Sequence, residues 1–170
     1  MAGVILTGPP GIGKTTAIKA AVTQLQSNGI KVTGFYTEEE RRRGRRVGFI
    51  MVNAATGEGR MMASVNGEGA RFGKYFIDLS VVEWGIKLMM EKGDVVVIDE
   101  VGPMESLHPG FITAVENSIN ARTFLLTVHE RLLNLIIGKA INYNLIRLSL
   151  SNRGEAPRLV VKHILELLGQ

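Results

Sequence analysis

Cysteine is absent from the 170 residues, so neither a disulfide nor a thiolate-bound metal is available to this chain. Such a chain suits a reducing compartment. Histidine is scarce as well. His108, His129 and His163 are the whole set, and their separations fit no metal-ligand pattern. The apolar run that opens the chain, Val4-Ile5-Leu6, is far too short for a membrane span. It lacks a basic leader and runs straight into a glycine-rich loop, so it does not read as a removable signal. No repeat, low-complexity tract or linker divides the sequence. The expectation is a soluble, cytoplasmic protein forming one domain over residues 1–170. Hydrophobic residues make up 45% and charged residues 21%, which excludes disordered and fibrous classes. The net charge of +4 permits an acidic partner without requiring one.

What is present is concentrated at the start. Gly8-Pro9-Pro10-Gly11-Ile12-Gly13-Lys14-Thr15 fits G-x-x-x-x-G-K-[ST], with the strand Gly3–Thr7 before it and a helix from about Lys14 to Asn28 after it. The spacing has a chemical reason. The three glycines let consecutive backbone N–H groups turn inward around phosphate oxygens, where most side chains would block the turn. The helix that follows presents its unpaired N–H groups and positive dipole end to an anion. Lys14 is then placed to reach the β- and γ-phosphates, and the Thr15 hydroxyl to hold Mg²⁺. A nucleoside triphosphate is the implied ligand.

Further along, Val32–Thr37 reads as a second strand. The polar segment Glu38 to Arg46 follows, and Val47–Asn53 and Gly59–Ser64 flank Ala54-Ala55-Thr56-Gly57 as an antiparallel hairpin. With a short strand at Tyr75–Leu79, residues from about 38 to 79 read as a β insertion. Ser80-Val81-Val82-Glu83 resembles a capping box that starts a helix. Trp84 and the Met89-Met90 pair read as core packing rather than a ligand surface. Pro109–Asn120, a segment after Arg131, and Ala156–Leu168 read as helices. Thr123–Thr127 and Leu145–Leu150 read as strands. Strands alternating with helices predict an α/β fold: a mostly parallel sheet with helices on both faces and an added antiparallel insertion.

The strand Asp94-Val95-Val96-Val97-Ile98-Asp99 is apolar and β-branched and ends in acid. In such sheets ligands gather at the carboxyl ends of strands. Asp99 is therefore expected beside Thr15, holding hydrated Mg²⁺, and Glu100 is expected to orient a water toward the γ-phosphate. Asp99-Glu100-Val101-Gly102 also fits the D-x-x-G of small GTPases. No N-K-x-D follows, however, and base selectivity stays open.

Gly34-Phe35-Tyr36-Thr37-Glu38-Glu39, Val97-Ile98-Asp99-Glu100-Val101-Gly102-Pro103-Met104-Glu105, Thr127-Val128-His129 and Asn152-Arg153 follow the phosphate loop in that order. In this the chain resembles the thermostable nucleoside-triphosphatase family, also called cancer-related nucleoside-triphosphatase, over nearly its whole length. The resemblance implies a single RecA-like P-loop NTPase domain that hydrolyses ATP, GTP and other nucleoside triphosphates with Mg²⁺ and little base preference. It also implies nucleotide contact at Gly8 through Thr15 and along Val95, Val96, Val97, Ile98, Asp99, Glu100, Val101 and Gly102, with Thr16 beside the loop. Family members often carry an arginine or lysine soon after the T-V-H histidine. Here Glu130 comes first and Arg131 second.

Arg41, Arg42, Arg43, Arg45 and Arg46 are the densest charge in the chain. They read as a handle for nucleic acid, as an arginine reaching the transferring phosphate, or as an exposed hairpin tip balanced by Glu38, Glu39 and Glu40. The lack of interleaved aromatics favours the tip. Arg131 and Arg153 each follow a core strand, where an arginine finger or a surface residue fits equally. His129, at a strand's carboxyl end, is the one histidine near the expected site. The leading function is hydrolysis of nucleoside triphosphates. The alternatives are a small kinase acting on a nucleotide, nucleic-acid end or metabolite, and a nucleotide-gated binding module. Oligomeric state is not legible.

Overall fold

The computed structural model describes residues 1–170. Its strands are β1 (Ala2–Thr7), β2 (Val32–Arg42), β3 (Arg45–Asn53), β4 (Gly59–Ser64), β5 (Ala70–Phe72), β6 (Tyr75–Ile77), β7 (Val95–Val101), β8 (Thr123–Val128) and β9 (Asn142–Arg147). Its helices are α1 (Lys14–Ser27), α2 (Leu79–Met90), α3 (Phe111–Ala121), α4 (Glu130–Ile137) and α5 (Ala156–Leu167). The strands form one sheet in the order β5-β6-β4-β3-β2-β7-β8-β1-β9. From β2 to β9 the pairing is parallel. From β2 outward through β5 it is antiparallel. This is the predicted α/β architecture with its β insertion. No helix is long and apolar enough to cross a membrane.

Side-chain alternation along the central strands builds two cores. Val95 and Val97 of β7, with Val4 and Leu6 of β1, face one side, where α1 and α5 cover them. Val96 and Ile98, with Ile5, Phe124 and Leu126, face the other side, toward α2, α3 and α4. All nine are fully buried, at 0% exposure. Each stabilises the fold by about 1.5–3 kcal/mol relative to leaving it in water. This double cover makes the sheet rigid and fixes where its carboxyl edge lies.

Several elements differ from the sequence reading. β2 does not stop at Thr37 but runs to Arg42. The insertion therefore grows from a core strand that is simply extended, and its hairpin with β3 turns through Arg43 (φ 51°) and Gly44 (φ 74°). The cap of α2 is Asp78, whose carboxylate accepts from the Ser80 N–H, so the helix begins at Leu79 rather than at a Ser80 cap. Pro109 lies ahead of α3, outside its first turn. Of the methionine pair, Met89 is buried and Met90 is 71% exposed. The final strand is Asn142–Arg147, not Leu145–Leu150, and pairs with β1 from Ala2↔Asn142 to Thr7↔Arg147. As an edge strand it tolerates the polar Asn142 and Asn144, which hid it. Leu150 falls in the turn that follows, where Asn152 bonds both the Ser149 N–H and the Arg147 carbonyl.

Candidate active site

The loop after β1 takes the conformation its glycines allow: φ is 150° at Gly8, 76° at Gly11 and 112° at Gly13. Gly13 is the N-cap of α1, no side chain caps that end, and no acid occupies its first turn. The free N–H groups and the positive dipole end are thus left open to an anion. The Lys14 ammonium folds back to donate to the Gly8 carbonyl at 2.8 Å and stands 3.8 Å from Glu100 Oε2.

Sheet order brings the acids to this loop. β8 lies between β1 and β7, and the β7–β8 ladder breaks between Ile98 and Val101. Asp99 and Glu100 sit in that break. Asp99 is 1% exposed and accepts three hydrogen bonds: from Thr15 Oγ1 at 2.9 Å, from the Thr37 N–H at 3.2 Å and from Thr127 Oγ1 at 2.5 Å. Burial raises its pKa, while those donors and the Lys14 charge pull the other way. Three donors from α1, β2 and β8 leave the carboxylate one orientation.

Glu100 is different. No hydrogen bond holds it, and it lines the cleft. Burial and the neighbouring Asp99 charge raise its pKa to about 7, opposed by Lys14. Glu105, in the 3-10 turn Glu105–Leu107, is only 4% exposed and lies outside the cleft lining. Burial and the Glu100 charge hold its pKa well above the usual carboxylate range. The two carboxyl groups both approach the space beside the Gly102 Cα. A Cβ there would stand 2.8 Å from Glu100 Oε1 and 2.9 Å from Glu105 Oε2. Gly102→Ala is therefore expected to push Glu100 aside and lower turnover by roughly 10²-fold, the scale of a misplacement near 1 Å. Nucleotide affinity, measured by equilibrium titration, should change little.

The cleft has a volume of about 610 Å³ and is lined by Pro10, Gly11, Gly13, Lys14, Thr15 and Thr16 on one side and by Asp99, Glu100 and His129 on its floor. The other wall is β2–β3, with Thr37, Glu38, Glu39, Arg41, Arg46 and Phe49. His129 Nδ1 accepts from the Arg131 N–H and caps α4, leaving Nε2 for the cleft. Burial, with Lys14 and Arg131 nearby, lowers its pKa.

Other candidate residues fall elsewhere. Val95, Val96, Val97, Ile98 and Val101 are fully buried strand residues, and of the Val95–Gly102 stretch Asp99 and Glu100 line the cleft. Within the loop, Ile12 packs into the core beneath. Arg131 and Arg153 are exposed and outside the cleft lining. His108 and His163 stand near Glu83 and Glu166 instead. The arginine run is not a uniform solvated tip: Arg41 and Arg46 turn into the cleft, while Arg42, Arg43 and Arg45 do not. The sequence reading gave no role to Thr37 or Thr127. Their one signal is that each ends a strand as read from the sequence, inside a motif of the resemblance.

Thr15 and Asp99 offer two hard oxygen donors 2.9 Å apart, a set that suits a divalent cation keeping most of its waters. No group of three or more His, Cys, Asp or Glu forms a cage of its own.

Comparison with known proteins agrees with this geometry. A family model described as NTPase matches residues 3–161. The nucleoside-triphosphatase THEP1 of Caldivirga maquilingensis is 46% identical over 98% of this chain and 96% of its own length. That of Methanopyrus kandleri is 36% identical over 97% and 96%. The solution structure of a human cancer-related nucleoside triphosphatase superposes with a TM-score of 0.83 at 32% identity, covering 98% of both chains. The crystal structure of THEP1 from Aquifex aeolicus gives 0.77 at 26% identity, covering 99% of both. Matched end to end by relatives of one kind and built on a P-loop α/β sheet, the chain belongs to this NTPase family.

Proposed function

We propose that the protein is a Mg²⁺-dependent hydrolase of nucleoside triphosphates with broad base range, converting ATP, GTP and related nucleotides to the diphosphate and phosphate. The observation that carries this is Glu100: a carboxylate free of hydrogen bonds, facing the cleft 3.8 Å from the ammonium of Lys14 and one residue from the Asp99–Thr15 pair. The names of the relatives point the same way.

In this reading the loop N–H groups and Lys14 seat the triphosphate. Lys14 exchanges its bond to the Gly8 carbonyl for the β- and γ-phosphate oxygens. Thr15 and Asp99 hold Mg²⁺, which when bound neutralises charge on those oxygens. Glu100 accepts a hydrogen bond from a water and directs its oxygen at the γ-phosphorus. The bond to the bridging oxygen breaks as the new one forms, and the diphosphate leaves. Phosphoryl transfer needs mainly positioning and charge stabilisation, which these residues supply.

No guanine-selecting N-K-x-D motif and no adenine-specific pattern accompanies the phosphate loop. ATP and GTP should accordingly be hydrolysed with kcat/KM values within about tenfold, or 1.4 kcal/mol. Phosphate release from purified protein with each nucleotide tests this. A hundredfold preference for one base would contradict it.

A further inference from the structure

The β2–β3 wall of the cleft is too specifically built for hydrolysis alone. Along the carboxyl edge of the sheet the order runs β1, β8, β7, β2, β3. The phosphate loop follows β1 and the acids end β7, so β2–β3 lies on the far side of Asp99 and Glu100 from the loop. A triphosphate seated in the loop with its terminal phosphate toward Glu100 leaves that wall facing the γ-phosphorus from outside.

Two of the five arginines are fixed there by one carboxylate. Glu39 Oε2 accepts from Arg41 Nε at 2.9 Å and pairs with Arg41 Nη2 at the same distance, and Glu39 Oε1 accepts from Arg46 Nη1 at 3.1 Å. Arg46 Nε donates to the Tyr75 hydroxyl at 3.0 Å, and Arg41 Nη1 to the Gly44 carbonyl at 3.1 Å. The Arg46 guanidinium lies over the Phe49 ring at 5.2 Å. Two guanidiniums sharing one carboxylate keep a net positive charge in a pre-set geometry, an arrangement suited to a phosphate. Lys19 adds nothing to it, being paired with Glu38 at 2.6 Å. Phe49, the sole aromatic of the lining, offers an apolar face to a carbon skeleton. Glu100 borders the same space and repels a long polyanion. A single phosphate carrying an uncharged hydroxyl group meets no such conflict.

We propose that the Glu39–Arg41–Arg46 wall and Phe49 form a second-substrate site for a small phosphomonoester bearing a free hydroxyl, which accepts the γ-phosphoryl group in place of water. The arginines hold the ester's phosphate, and its hydroxyl takes the water's position beside Glu100. The hydroxyl oxygen bonds to the γ-phosphorus as the bond to the β,γ-bridging oxygen breaks. That oxygen leaves on the diphosphate with the electron pair. The hydroxyl proton passes to the Glu100 carboxylate and on to solvent. The products are a nucleoside diphosphate, a bisphosphate and one proton. This assignment rests on the phosphate-site reading above.

The test supplies ATP labelled at the γ-phosphorus, with Mg²⁺, to the purified protein in the presence of glycerol 3-phosphate, ribose 5-phosphate or a 5′-hydroxyl oligonucleotide, and separates the labelled products. Label is expected in a small bisphosphate, and the ratio of transfer to phosphate release should fall by roughly tenfold or more in Arg41→Ser and in Arg46→Ser. Arg46→Lys, which keeps the charge but loses the fork, should fall between. Arg41 sits near the exposed hairpin tip, so its variant carries the test even where loss of the Tyr75 bond unfolds the other. Label found only in inorganic phosphate, with neither ester binding the diphosphate-loaded protein by calorimetry, overturns the second site while leaving hydrolysis intact. Label on the oligonucleotide alone overturns it in favour of a nucleic-acid end. Absence of any phosphate release by wild-type protein overturns the underlying phosphate site and this proposal with it.

Discussion

Lys14→Ala should reduce turnover by roughly 10³-fold, about 4 kcal/mol of barrier, and should weaken triphosphate binding as well. The ammonium is the one cation held inside the loop, fastened to the Gly8 carbonyl and 3.8 Å from Glu100. No neighbour can replace it: Lys19 is tied to Glu38, and Arg41 and Arg46 share Glu39. Its loss removes charge stabilisation where negative charge develops between the β- and γ-phosphates. It also leaves Glu100 with less to offset the Asp99 charge, since Lys14 is what opposes the rise in its pKa. Fold stability should hardly change, because Lys14 packs into neither core. Steady-state kinetics and a thermal melt on the same sample check both halves. Near-normal hydrolysis by a folded variant would remove the site assignment.

Glu100→Gln should be nearly as damaging by a different route. The amide keeps the size of the side chain and a hydrogen-bond acceptor but loses the charge that aligns the water and receives its proton. Turnover should fall by roughly 10²-fold or more, about 2.7 kcal/mol. Nucleotide and Mg²⁺ affinity should remain, since Thr15 and Asp99 are untouched. Asp99→Asn should separate cleanly from it. Asp99 accepts from Thr15, Thr37 and Thr127, and an amide nitrogen at either position would face a donor. That variant should raise the Mg²⁺ concentration needed for activity as well as slow the reaction.

How far this site could be read without coordinates depends on how local each part is. The phosphate loop was legible because eight consecutive residues carry its backbone conformation and its cation. Asp99 and Glu100 were legible because an apolar β-branched strand ending in acid has few meanings beside such a loop. The donors that orient Asp99 were not. Thr37 and Thr127 reach it from strands 62 and 28 residues away, and only the sheet order makes them neighbours. The arginine run misled for a related reason. Its composition reads as a solvated tip, yet the two arms of the hairpin aim Arg41 and Arg46 at a shared carboxylate and leave the three others outside. Alternation along a strand is visible in sequence only once its length is known, and β2 continues past Thr37 into residues too polar to signal a strand. The edge strand β9 was displaced for the same reason, its polar residues lying at a margin that needs little burial.

Of the Val95–Gly102 stretch, the valines are sealed between two helical layers, while Asp99 and Glu100 line the cleft. In such a sheet, chemistry is confined to the strand's carboxyl end. Here that end is two residues long, one carboxylate locked by three donors and one left free.

The division of labour between those two carboxylates is the central claim, and single-turnover hydrolysis by Glu100→Gln tests it most directly. Protein in excess over labelled ATP, with saturating Mg²⁺, gives the rate of the chemical step without product release, and filter binding on the same sample gives the fraction bound. The expected result is full binding with a cleavage rate roughly 10²-fold or more below wild type. Full binding with a cleavage rate close to wild type would show that Glu100 does not direct the attacking water.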